Sequence, residues 1–143
     1  MAADDSGLFP HYREVDGPLP KTTMGWEIYP DGLYHFLTWA HREYAPDLPI
    51  YVTENGMSAD DVLIEGRVDD PQRIAFIEQH LQAVLRAIAD GVPVKGYFIW
   101  SLLDNYEWAL GYDKRFGLVH VDFETLERVP KQSWSAVRAM LVD

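Results

Sequence analysis

The sequence predicts an α/β fold with parallel strands, and three observations lead there. Two short runs, Leu48 to Thr53 and Val94 to Leu103, are rich in β-branched and aromatic residues, as strands are. The second is almost continuously apolar, the pattern of a strand covered on both faces. Between and around these runs lie stretches with apolar residues at helical spacing, and such alternation joins parallel strands through crossover helices.

Each element follows in order. Residues 1 to 29 carry Gly7, Pro10, Gly17, Pro18, Pro20 and Gly25 without a sustained period and read as a long loop or arm. Residues 30 to 143 read as successive βα units. In residues 31 to 45, Leu33, Phe36, Leu37 and Ala40 recur at helical spacing, and Pro46 ends that helix. The strand from Leu48 ends near Glu54, and a polar, acidic loop covers residues 56 to 70. Asp70 then stands where an N-cap belongs and Pro71 at the first helical position. Ile74, Ile77, Leu81, Val84, Leu85 and Ile88 form the apolar stripe that runs to Gly91. After the second strand, residues 104 to 117 form a loop dense in aromatic and charged groups. Leu118 to Phe123 reads as a short extended segment, and residues 131 to 142 close with a helix. Two parallel strands are too few to make a stable sheet alone, so the expected fold is incomplete by itself.

Composition bounds the function. At 143 residues, 48% apolar and 13% aromatic, the chain has the means to bury a core and does not read as disordered. Its net charge of −11, with basic residues scattered singly, argues against nucleic acid or an anionic membrane as partner. There is no cysteine, hence no disulfide and no thiolate metal site. The start, MAADDSGLFP, lacks the charge and apolar core of a signal peptide, and no run of about 18 apolar residues appears, so a cytoplasmic protein is expected. The five histidines show no metal-ligand spacing, and no cofactor is implied.

In α/β folds the functional groups gather at the carboxyl ends of the strands. One strand here ends in Glu54, within YVTENG (51–56), and the other runs into WSLLDNYEW (100–108), which mixes carboxylates with aromatic rings. That mixture suits a sugar, because the C–H face of a pyranose packs on an indole while its hydroxyls need acceptors and N–H donors. Taken one at a time, a glutamate at a strand end also serves as a cap or a solvated residue, and aromatic residues also fill cores.

The two motifs together, TENG at 53–56 and WSLLDNYEWALGYDKRFGLVHVDFET at 100–125, resemble family 1 glycoside hydrolases, which are (β/α)8-barrel β-glycosidases. MGWEIYP at 24–30 and RVDDP at 67–71 resemble the intervening segments. The resemblance implies the C-terminal portion of a TIM barrel, from about helix six to helix eight of the barrel. It implies Glu54 as catalytic nucleophile and Trp100 as the ring beneath the sugar. It also implies Glu107 as acceptor for sugar hydroxyls, Trp108 as an N–H donor to a neighbouring hydroxyl, and Phe116 as an aromatic wall near the exocyclic hydroxymethyl group. Glu107 further implies an unphosphorylated sugar, since its carboxylate would repel a phosphate. Retaining glycosidases need a second carboxyl group as acid and base. In this family it lies in an Asn-Glu-Pro motif, whereas the asparagines here, Asn55 and Asn105, are followed by Gly56 and Tyr106. The expectation is therefore a β-glucosidase-like chain that contributes the nucleophile and is inactive alone. Its partner is the N-terminal remainder of the barrel as a separate chain. The alternative is an inactive, self-associating or sugar-binding module.

Overall fold

The computed structural model describes residues 2–4, 11–13, 15–44 and 46–141. Ala45 and Val142, the closing residues of two of the expected helices, lie outside them. In chain order the elements are β1 (Ala2–Asp4), β2 (His11–Arg13), α1 (Pro30–Glu43), β3 (Ile50–Asn55), α2 (Pro71–Ala89), β4 (Val94–Ile99), a single 3-10 turn (Trp108–Leu110), β5 (Val119–Val121), β6 (Arg128–Pro130) and α3 (Gln132–Met140).

β3 and β4 pair in parallel, with α2 as the crossover between them, as the alternation predicts. α1 and α2 cover one face of this pair. Leu37 of α1, Val84 and Ala87 of α2, Val52 of β3 and Val92 form one buried cluster. Met57, Phe76, Ile77 and Leu118 form a second, against which Val137 of α3 packs. Ile77 is fully buried between elements far apart in sequence, and burying such a side chain stabilises by about 1.5–3 kcal/mol. The opposite face of β3–β4 is open: Tyr51 and Phe98 are 53% and 58% exposed.

The structure departs from the expected elements in four places. The arm contains a short antiparallel pair, β1 with β2, and a bridge between Lys21 and Glu27. Three-residue strands fall below the length at which period-two patterning is readable. β6, unanticipated, pairs with β5 as an antiparallel hairpin. The second strand stops at Ile99 rather than Leu103, because from Ser101 the backbone bonds to the 116–118 segment instead, Ser101 N donating to Phe116 O and Leu118 N to Ser101 O. Asp70 occupies the N-cap position of α2, yet its side chain makes no cap bond. Its carboxylate instead accepts from Ser133 N at 2.8 Å, from Ser133 Oγ at 2.6 Å, and from Arg73. A charged partner and two convergent donors outcompete the helix's own amides.

Candidate active site

β3 delivers Glu54 at its carboxyl end through an irregular register. Val52 pairs with Tyr97 and Asn55 with Ile99, so β3 advances three residues where β4 advances two. An extra residue re-aims the side chains beside it, and here those are Thr53 and Glu54. The end of the strand is pinned by the Tyr97 hydroxyl, which donates to Asn55 Oδ1 at 2.6 Å, and by Trp100 N, which donates to Asn55 O at 2.9 Å. Burial pushes the Tyr97 phenol well above its ordinary range, so it stays a neutral donor. Gly56 lets the two strand ends close up: a Cβ there would sit 1.7 Å from the Trp100 carbonyl oxygen.

Past β4, the chain folds into a tight turn at 107–111. Glu107 N donates to Gly111 O at 2.6 Å and Leu110 N to Glu107 O at 2.8 Å. Trp108 takes φ +44°, a left-handed conformation costly for a bulky residue, and its side chain stands 81% exposed. Phe116 is buried and lies 6.2 Å from Trp26, ring to ring.

Glu54 from the first motif and Trp100, Glu107, Trp108 and Phe116 from the second line one cavity of about 520 Å³. That volume is within the range of small-molecule sites. Glu27, Glu54 and Glu107 put three carboxylates on its wall, and no lysine or arginine is among its described lining residues. Glu27 is partly occupied, accepting from Leu19 N at 3.0 Å.

The cavity also includes residues that sequence reasoning did not single out. Trp26, Glu27 and Tyr29 come from the arm, and the signal for them was the aromatic and acidic MGWEIYP segment itself. Phe76 and His80 come from α2. The signal for His80 was a lone polar residue on an apolar helix face. Its Nδ1 meets Phe76 O at 2.7 Å, and its ring stacks on Phe76 at 3.8 Å. The carbonyl only accepts, so Nδ1 carries the proton and Nε2 is the bare acceptor. Burial holds the His80 pKa below its ordinary value. Among the described residues, no group of three acidic, histidine or cysteine side chains is placed to hold a metal. No described helix is long and apolar enough to cross a membrane.

Comparison with known proteins gives the family. The family model for glycosyl hydrolase family 1 matches residues 5–140. The chain belongs to glycosyl hydrolase family 1. A 1,4-beta-D-glucan glucohydrolase of Thermotoga neapolitana is 55% identical over 120 residues, which are 83% of this chain and 27% of that protein. A 6-phospho-beta-galactosidase of Streptococcus equi subsp. zooepidemicus is 50% identical over 121 residues, covering 85% of this chain and 26% of its own length. Among solved structures, the psychrophilic beta-glucosidase BglU of Micrococcus antarcticus superposes with a TM-score of 0.86 at 51% identity. The match covers 88% of this chain and 27% of that one. The family 1 beta-glucosidase of Thermotoga maritima in complex with isofagomine lactam gives a TM-score of 0.83 at 50% identity, over 29% of its length. This family 1 chain thus spans little more than a quarter of the proteins it matches, and its open β3–β4 face fits a part of a barrel.

Proposed function

We propose that the chain supplies the nucleophile and one sugar-binding wall of a retaining β-glycosidase acting on unphosphorylated β-glycosides. The observation that carries this reading is the convergence of Glu54, Trp100, Glu107, Trp108 and Phe116 on one cavity, with Glu54 at the carboxyl end of a parallel strand. Glu54 attacks the anomeric carbon and forms the glycosyl-enzyme. Trp100 packs against the C–H face of the ring, Glu107 accepts from its hydroxyls, and the Trp108 indole N–H donates to one of them. The acid/base carboxyl belongs to the remainder of the barrel, supplied by another segment or chain that covers Tyr51 and Phe98. General acid catalysis contributes about 10²–10⁴ in rate, so the wall described here is not sufficient alone.

The unphosphorylated substrate is supported by electrostatics rather than by overall similarity, because relatives at nearly equal identity include one named for a phosphorylated galactoside. Three carboxylates without a lysine or arginine beside them disfavour a dianion.

The test is hydrolysis of a chromogenic β-glucoside by the 143-residue chain alone and mixed with a barrel fragment that carries the Asn-Glu-Pro strand. Activity is expected in the mixture only, and Glu54→Gln is expected to lower kcat on the order of 10⁴-fold or more. Equal activity of Glu54→Gln would remove Glu54 from the chemistry. An inactive but proven complex would point to a binding or assembly role.

A further inference from the structure

Six side chains outside the cavity form one charge network at the base of the segment that carries Glu107 and Phe116. Lys131 Nζ bridges Asp61 at 2.5 Å and Asp104 at 2.8 Å. Arg73 holds Asp61 through both terminal nitrogens, at 3.0 and 2.7 Å, and also pairs with Asp70. Arg115 pairs with Asp104 at 2.7 Å. Three cations face three carboxylates, and five of the six side chains are at most 1% exposed, Arg115 being the exception at 22%.

The network is not spread evenly over its surroundings. Asp104 Oδ1 accepts from Gly117 N at 2.9 Å, and Asp104 Oδ2 accepts from Arg115 Nη1 and, at 3.4 Å, from Val121 N. Arg115 O in turn accepts from Arg73 Nη2 at 3.0 Å. The residues on either side of Phe116 are therefore both tied to buried charge. Gly117 admits this closeness, because a Cβ there would stand 2.2 Å from Asp104 N. Phe116 itself contributes one polar contact, its carbonyl oxygen accepting from Ser101 N at 3.3 Å, and its side chain has no polar group to fix the ring on the cavity wall.

We propose that Asp104 is a positioning residue for the sugar-facing wall, fixing the backbone on both sides of Phe116 through Gly117 N and Arg115. The inference rests on the glycosidase reading for its consequence, which is discrimination at the exocyclic hydroxymethyl group that the family resemblance would set beside Phe116. Its geometric half stands without that reading.

The test compares Asp104→Asn with Asp70→Asn. Both carboxylates are buried in the same network, but Asp70 ties α2 to α3 and reaches 115–121 only through Arg73, whereas Asp104 bonds that segment directly. Hydrogen exchange of the 143-residue chain, read by mass spectrometry, is expected to rise roughly tenfold or more at 115–121 in Asp104→Asn, the scale of one charged hydrogen bond lost. In Asp70→Asn the rise is expected around 70–74 and 131–134 instead. Arg115→Gln, the mildest change because its side chain is partly exposed, is expected to loosen 115–121 less, and it serves if Asp104→Asn does not fold. Equal loosening of 115–121 by Asp104→Asn and Asp70→Asn, or none by either Asp104→Asn or Arg115→Gln, overturns the proposal. In the complemented enzyme the kcat/KM ratio of β-glucoside to β-xyloside is expected to fall several-fold in Asp104→Asn and to hold in Asp70→Asn. An unchanged ratio in an active mixture also overturns it. A wild-type mixture without activity sinks the glycosidase reading alone, and the exchange at 115–121 then decides the anchoring.

Discussion

Around α3 and the β5–β6 hairpin, Arg73, Lys131, Asp61, Asp70 and Asp104 are buried more completely than most of the apolar residues of the chain. On the β3–β4 sheet the situation is reversed, and the aromatic rings of Tyr51 and Phe98 face outward. Burial on the first side is complete within this chain: every one of the five charges has its counter-charge there. Burial on the second side is half complete, because the sheet has helices on one face only. Leaving a buried charge unpaired costs more than leaving a ring in water, so a folded chain cannot leave the first job unfinished, whereas it can leave the second to another partner.

The largest expected effect tests the closed side. Arg73→Met keeps most of the side-chain volume but leaves Asp61 and Asp70 short of a cation. Breaking one member of a buried pair costs about 3–5 kcal/mol, so the midpoint of urea unfolding is expected to collapse. A loss below about 1 kcal/mol would show that the network is wet and that the contrast drawn here is false.

The next effect sharpens the contrast from the apolar side. Ile77→Ala, at a fully buried position, is expected to cost about 2–5 kcal/mol. Phe98→Ala removes a larger side chain, yet in the chain alone it is expected to cost less than Ile77→Ala, about 1 kcal/mol or below, since more than half of the residue's surface is already in water. In the presence of the remaining barrel the same Phe98→Ala is expected to weaken association by more than about 1 kcal/mol, measured by titration calorimetry. A large cost in the chain alone would mean that the open face is closed by some other contact within it.

How much of this was legible in the sequence follows from the same contrast. The α1, α2, β3 and β4 elements announce themselves by periodicity, and Glu54 and Trp100 follow because strand ends are where such folds place chemistry. The cavity's far wall was less legible. Trp26 and Glu27 come from an irregular arm, where no period says which side chain points inward. Asp70 shows why local signals mislead: an Asp-Pro at a helix start reads as a cap, and only the folded position of Ser133, 63 residues later, redirects it. Asp61 and Lys131 stand out by no local signal, because counter-charges 70 residues apart leave no local pattern.

The smallest effect lies at the boundary between the two regions, where His80 lines the cavity from α2. Desolvation lowers its pKa from the ordinary 6.5, opposed by the bond to Phe76 O. His120 is lowered in the same sense, by burial and then by Arg115. A histidine whose folded pKa is depressed binds its proton more readily when unfolded. Its contribution is therefore intact above about pH 6.5 and is lost as the pH falls from there toward the lower folded value. The carboxylates whose pKa values are lowered, Asp16 and Asp122, start from 3.8 and titrate below this window. Between pH 7.5 and 5 the Tm of the chain is expected to decline, and His80→Phe, which keeps a ring beside Phe76 but cannot titrate, is expected to flatten part of that decline. His120, lowered in the same sense, contributes to the slope that remains. If His80→Phe leaves the slope unchanged, the ring of His80 reaches water through the cavity and is already free to take its proton in the folded chain. The cavity wall would then belong with the open sheet face rather than with the closed charge network.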